Sequence, residues 1–387
     1  MDFIIKEKAE DFIVKEVLGF EIDSIINKEG NYSYFLLEKK NKDIVYIIND
    51  FCKKYKIIKK YINYCGIKDK KAITFQYISI NSLKKDYRRD FYEGDYNLKY
   101  FGQGDKRFNL GTHKGNNFKI VLRNLDSDSI DFFLKLRNKE ICFPNYFGGQ
   151  RFSKNNLIIG ELLLKRKYNE ILNILKYDRF TIFKVKNFFF RVLKNKELYE
   201  NIFLRDITEE EFQLFTKSFS KRMFRMYVSA FQSYFFNQLI SFYSKTLSSN
   251  LITNSILFDE KYKIDFDYLS FFEEIKIKKD LQFELLNKDY INLKLSNENL
   301  NVFVSDFIKK YDLIEENLVF DHKLYFLDLK DVVRDVFCFV KFKKIEHFDD
   351  EIYDNKKKIE LTFFLKKSSY ATELINAIYY NYLSWKK

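Results

Sequence analysis

Glycine placement constrains this chain more than any other feature of its sequence. All eleven glycines lie at or before Gly160, and the single proline is Pro144. Glycine is kept where a backbone turns sharply or passes close to another group, and proline fixes φ and removes a donor. In a chain that otherwise avoids both, the positions that retain them carry information. Gly30 and Gly94 read as ordinary turns. The clusters at 66, 111–115 and 144–149 ask for a further reason.

Periodicity supplies the frame around those clusters. Phe12 with Val14, Tyr32–Glu38, Phe75–Ile80 and Phe118–Arg123 read as strands, the last alternating Phe118, Ile120 and Leu122 against Lys119 and Arg123. Helical spacing of Val45, Ile48, Phe51, Cys52, Tyr55, Ile58 and Ile62 predicts a first helix over Asp43–Tyr61. Near and beyond Gly160 the chain turns mainly helical, over Leu157–Ile174 and then Met226–Leu247. Strand-like sequence returns near Asp335–Lys341 and Glu360–Leu365. Sheet-forming text at both ends with helical text between predicts an α/β (α+β) protein with one domain inserted into another. There is no internal repeat and no Gly/Ser/Pro linker.

Composition narrows the classes. At 387 residues the chain can bury cores for two domains, and 46% hydrophobic with 19% aromatic residues excludes wholesale disorder. Charges in Met1–Lys8 occupy the place of a signal peptide's apolar stretch, and no apolar run approaches the roughly 20 residues that span a bilayer. The expectation is a soluble cytoplasmic protein. Cys52, Cys65, Cys142 and Cys338 are scattered, and His113, His322 and His347 fall at no ligand spacing, so no bound metal is expected and the thiols read as free. A net charge of +13 points to a polyanionic partner. The joint richness in Lys, Asn, Ile, Phe and Tyr weakens that pointer, because AT-rich coding produces the same bias.

Two clusters could carry chemistry. Gly66-Ile67-Lys68-Asp69-Lys70-Lys71-Ala72-Ile73-Thr74-Phe75-Gln76 lies between a helix and a strand. Cations on both sides of Asp69 favour a carboxylate, able to act as nucleophile or base, although Lys-Asp-Lys-Lys is also what a solvated turn looks like. Pro144-Asn145-Tyr146-Phe147-Gly148-Gly149-Gln150-Arg151-Phe152 joins an amide, a guanidinium and three aromatic rings. Asn can hold a base or ribose edge, Phe can stack on a flipped base and Arg can hold phosphate; a packed structural turn is the plainer reading.

The first cluster resembles the signature loop of the TruD pseudouridine synthases, Gly-x-Lys-Asp-(Lys/Arg)-x-Ala-x-Thr-x-Gln, at every fixed position. The second is similar to the family's Pro-Asn-Tyr-Phe-Gly-x-Gln-Arg-Phe segment. Four more segments agree in order: Glu10–Glu16, Leu110–Phe118, Ala230–Asn237 and Ser369–Thr372. Two departures stand out. Leu365-Lys366-Lys367-Ser368 replaces a Leu-Pro-x-Gly run, and Asn27-Lys28-Glu29-Gly30-Asn31-Tyr32 stands where the family usually carries Gly and His residues.

The resemblance implies a tRNA pseudouridine synthase that isomerises uridine, in bacteria uridine 13 of transfer RNA, without redox step, metal or cofactor. It implies Asp69 as the catalytic carboxylate, with attack on the nucleoside and abstraction of a ribose proton both open. Phe12, Asn145, Phe147 and Tyr370 match substrate-pocket positions. Lys6, Lys68 and Arg151 are candidate partners for Asp69 or for phosphate. Gln232, Ser233 and Asn237 read as mainly structural, and the histidines as incidental. The implied fold is a pseudouridine-synthase-type catalytic domain around a mixed, largely antiparallel sheet, in parts 1–170 and 345–387, interrupted by a family-specific TRUD domain at 171–344. Transfer RNA is the expected partner of a monomeric protein that uses no membrane. A tRNA-gripping module without catalysis and an unrelated RNA enzyme are the rival readings.

Overall fold

Strand sequence from the two ends of the chain pairs into one sheet in the computed structural model. It describes residues 3–385 except 28, 84–85, 153–154, 220, 248–254, 257–262, 265–280, 288–289, 291–297 and 321–323. Lys28 and His322 therefore lie outside the described residues. The strands are β1 (Ile4–Ile5), β2 (Phe12–Leu18), β3 (Tyr32–Lys40), β4 (Ile62–Tyr64), β5 (Ile73–Asn81), β6 (Phe91–Tyr92), β7 (Tyr96–Gly104), β8 (His113–Leu125), β9 (Glu140–Pro144), β10 (Ser255–Ile256), β11 (Lys263–Ile264), β12 (Gln282–Glu284), β13 (Val333–Asp335), β14 (Phe337–Asp349) and β15 (Lys357–Lys366).

Eleven strands form the main sheet in the order β6-β7-β3-β5-β2-β8-β15-β14-β9, with β1 on β8 and β4 on β5. β2 and β5 run parallel, whereas β3 pairs antiparallel with β5 and β7, and β8 with β2 and β15. The sheet is mixed and largely antiparallel, as the family resemblance implied. The helix Ile44–Tyr55 buries Ile44, Ile47, Ile48 and Phe51 against Phe35, Leu37, Ile78 and Ile80. Asp43 caps it by accepting from Val45 N, and Lys56 ends it at φ 52°, short of the expected Tyr61.

The chain divides into two compact units, one of residues 1–143 and 338–387, the other Pro144–Phe337. The inserted unit thus starts before the expected residue 171. Residues 144–170 pack with the helices that follow them, because helix Asn156–Leu164 lies along the long helix Lys221–Leu247. Gly160 permits that crossing: a Cβ there would stand 2.2 Å from Tyr227 O. The expected continuous helix over Leu157–Ile174 is two, Asn156–Leu164 and Tyr168–Lys176, broken where Arg166 takes φ 53°. Gly94 is the plain turn it looked, at φ 66° with open space around it. Gly30 is not, since a Cβ there would meet Gly104 Cα at 2.1 Å. Among the described residues, no helix is long and apolar enough to cross a membrane.

Candidate active site

The sheet positions the signature loop through its flanks. β4 and β5 are antiparallel neighbours, and the loop between them carries Gly66 to Ala72. Gln76 donates from Nε2 to Gly66 O at 3.2 Å, and Asn41 N–H donates to Ala72 O at 3.1 Å. Ala72 is fully buried. Lys39 is also fully buried and donates from Nζ to the backbone oxygen of Asp69 at 2.6 Å. Burial pushes its ammonium down to about 8, against the pull of the Asp69 and Asp43 carboxylates.

Consecutive side chains of the loop part company. Lys68 turns inward, its Nζ 2.5 Å from Glu16 Oε1, with both side chains almost wholly out of solvent. Glu16 also accepts from Tyr77 N at 2.9 Å, and burial nevertheless raises its carboxyl above the ordinary range. Asp69 turns outward and remains 28% exposed, its Oδ1 accepting from Lys6 Nζ at 2.7 Å. Lys6, at φ 57°, also stands 4.0 Å over the centre of the Phe12 ring. Phe12 is buried, edge-on to Phe118. Of the two lysines proposed as partners of Asp69, Lys6 makes the contact; Lys68 is engaged by Glu16.

The Leu110–Phe118 segment packs against the same loop. Gly111 N–H donates to Cys65 O at 2.8 Å, and Lys367 donates from Nζ to Gly111 O at 2.8 Å. His113, read as incidental, packs beneath Gly66, where a Cβ would lie 3.2 Å from its ring. Burial, helped by the charge of Lys68, pushes its imidazole down to about 4, so it is neutral at physiological pH. Tyr370 is half-buried and directly precedes the helix Ala371–Trp385. Ser368 takes φ 68° where the family pattern has glycine, so the substituted loop keeps a left-handed residue rather than avoiding it.

The second unit holds the remaining candidates in a cluster of its own. Asn145 is buried, donates to Asp335 O at 2.9 Å and accepts from Arg334 at 2.8 Å. The Arg334 guanidinium lies 3.9 Å from the centre of the Phe147 ring. Asn237 clamps the Phe147 backbone at both ends, accepting from its N–H at 2.8 Å and donating to its carbonyl at 3.0 Å. Arg151 donates to Ser233 Oγ at 3.1 Å, and Gln232 donates to Leu286 O at 2.6 Å. The helix motif is thus a scaffold for the Pro144–Phe152 segment.

Sequence reasoning overlooked Glu16, Lys39 and Arg334. The first two had a signal: Glu16 continues the buried series Phe12, Val14, and Lys39 continues Phe35, Leu37. Arg334 had none, because Asn145 and Phe147 lie 189 and 187 positions away. Among the described residues, no three His, Cys, Asp or Glu side chains gather as a metal site.

Comparison with known proteins gives a consistent picture. The family model described as tRNA pseudouridine synthase D (TruD) matches residues 1–378. A Methanococcus maripaludis protein named "Probable tRNA pseudouridine synthase D 1" is 29% identical over 97% of this chain and 98% of its own length. The Aquifex aeolicus tRNA pseudouridine synthase D is 34% identical over 44% of this chain and 46% of its own. A solved structure from Methanosarcina mazei that carries the TruD name shares the fold, with TM-score 0.61 at 22% identity, covering 99% of this chain and 96% of that one.

Proposed function

Because this chain belongs to the TruD family of tRNA pseudouridine synthases, we propose that it isomerises uridine 13 of transfer RNA with Asp69 as the catalytic carboxylate. The enzyme is an isomerase that acts on tRNA. The observation that carries the finer reading is the pairing of Asp69 with Lys6 above the Phe12 ring, on a loop whose Lys68 is withdrawn to Glu16.

The reaction breaks the uracil N1–C1′ bond, turns the base and rebuilds the bond from C5 to C1′. Asp69 either attacks the ribose or removes a ribose proton, and both routes need its carboxylate aimed from a fixed loop. The backbone clamp by Lys39 and the buried Lys68–Glu16 pair supply that rigidity. In this reading Phe12, Asn145, Phe147 and Tyr370 take the uracil-binding roles that the family resemblance implies. The first unit is the catalytic domain and the second the family-specific insertion. The protein works as a cytoplasmic monomer without cofactor.

Tritium release from tRNA labelled at uracil C5 tests the proposal. The native chain should release tritium and Asp69→Asn should release none while still binding tRNA. Full turnover by Asp69→Asn would sink the assignment, and binding without release by the native chain would favour a gripping module.

A further inference from the structure

A pocket of roughly 370 Å³ opens in the second unit, wholly within residues 150–227. Gln150, Arg151, Asn155 and Asp178 supply polar edges, and Phe180 and Tyr227 supply aromatic walls. Its size is at the small end of ligand sites, enough for one nucleoside. Two of these residues, Gln150 and Arg151, belong to the Pro144–Phe152 motif, and the uracil-binding roles proposed above do not use them.

Exposed rings flank the pocket-lining Phe180 in sequence. Tyr177, Phe180 and Phe183 are 78%, 65% and 75% exposed, three large rings within seven residues. Clustered exposed aromatics of this kind mark a contact surface. Lys176, Arg179, Lys184 and Lys186 are interleaved with them, against the single acid Asp178. Arg179 lies 4.6 Å over the Phe180 ring, and Arg222 is exposed next to the pocket-lining Met223.

The rings are presented by a fixed turn. Asp178 Oδ1 accepts from Phe180 N at 2.8 Å, and the buried Thr181 hydroxyl donates to Leu175 O at 2.5 Å. A rigid presentation lowers the ordering cost of binding. Rings with exposed faces, interleaved cations and an adjoining base-sized pocket are what an unpaired nucleic-acid strand requires. Bases stack on the rings, phosphates meet the cations, and one base edge meets amides and a guanidinium. A folded acidic protein would match the cations but would leave the ring faces and the pocket unused.

We propose that Tyr177, Phe180 and Phe183 form a stacking platform for a single-stranded segment of the RNA substrate, with one extruded base seated in the pocket beside Gln150 and Arg151. The inference rests on the RNA-modifying reading above and adds a second RNA site to it.

Fluorescence anisotropy on the full chain at one fixed salt concentration tests it, with two probes: a tRNA transcript and a mixed-sequence single-stranded RNA dodecamer. Tyr177→Ala/Phe180→Ala should raise Kd for both probes roughly 10- to 100-fold, and Phe180→Trp should stay within about threefold of the native chain. Circular dichroism checks that each variant is folded. The platform is refuted if the folded double variant binds both probes within about threefold of native. It is equally refuted if Phe180→Trp loses as much as alanine, or if sedimentation shows that the rings control self-association while RNA affinity is unmoved. Tritium release by the native chain is read separately. No release with ring-dependent RNA binding retires the synthase assignment and keeps the platform. Normal release with ring-independent affinity retires the platform alone.

Discussion

Lys6 Nζ lies 2.7 Å from Asp69 Oδ1 while standing 4.0 Å over the Phe12 ring, so one cation is shared by a carboxylate and an aromatic face. The contact joins residues 63 positions apart, and the left-handed backbone at Lys6 delivers it. On the proposed mechanism Lys6 positions Asp69. Lys6→Met should slow single-turnover tritium release about 100-fold, the order expected when a reacting group is misplaced by an ångström. Lys6→Arg should recover part of the rate, because the charge returns with a different reach. Equal rates for Lys6→Met and the native chain would remove Lys6 from the mechanism.

The Glu16–Lys68 pair is out of solvent, so its worth lies in neither charge being left alone. Glu16→Gln strands the Lys68 ammonium and should cost about 3–5 kcal/mol in urea unfolding. Replacing both, as Glu16→Leu with Lys68→Met, should recover most of that stability. If the double variant is no more stable than the single one, the pair is not an isolated buried unit.

Arg123 ties the start of β2 to the β14–β15 turn. Its guanidinium donates to both Asp11 carboxylate oxygens at 2.8 Å and to Asp350 Oδ1 at 2.8 Å. Arg123→Met leaves two buried carboxylates unpaired and should destabilise by about 3–5 kcal/mol. Burial alone would raise the Asp350 carboxyl, but the Asn124 and Ile352 amides and Arg123 together hold it below the ordinary range. Its contribution is present above the unfolded value of about 4 and is lost as pH falls through the lower folded one. Thermal melts from pH 5 down to pH 2 should therefore show a steeper decline for the native chain than for Asp350→Asn.

Glu373 is buried in the helix after Tyr370, and burial pushes its carboxyl up to about 7, with Asn376 opposing. The native state keeps this proton where the unfolded chain has released it, so stability falls as pH rises from about 4 through 7. Glu373→Gln should remove that slope and leave the protein about 2–4 kcal/mol more stable than native at pH 8. Parallel pH–stability curves for the two proteins would show that Glu373 is ionised in the fold.

Local chemistry was legible where it depends on spacing. Alternation located β2, β3, β5, β8 and β15, and helical spacing located Ile44–Tyr55 and most of Lys221–Leu247. β7 escaped notice although Tyr96, Leu98 and Tyr100 alternate with Asn97 and Lys99, because Phe101 and two glycines then break the pattern. Asn145, Phe147 and Arg151 were singled out as residues, but their contacts with Arg334, Asn237 and Ser233 were not legible.

What the sequence alone determined is the motif set: Asp69 in its loop, Asn145 and Phe147 in theirs, and glycines retained where backbones pass close. Only the tertiary structure decided which lysine meets Asp69. Three lysines adjoin that carboxylate in sequence, yet Lys68 is withdrawn to Glu16, and Lys70 and Lys71 point to solvent. The cation at Asp69 instead comes from the chain's sixth residue. Spacing along a chain sets local backbone class, whereas burial and pairing of charge depend on what distant strands bring to the same place.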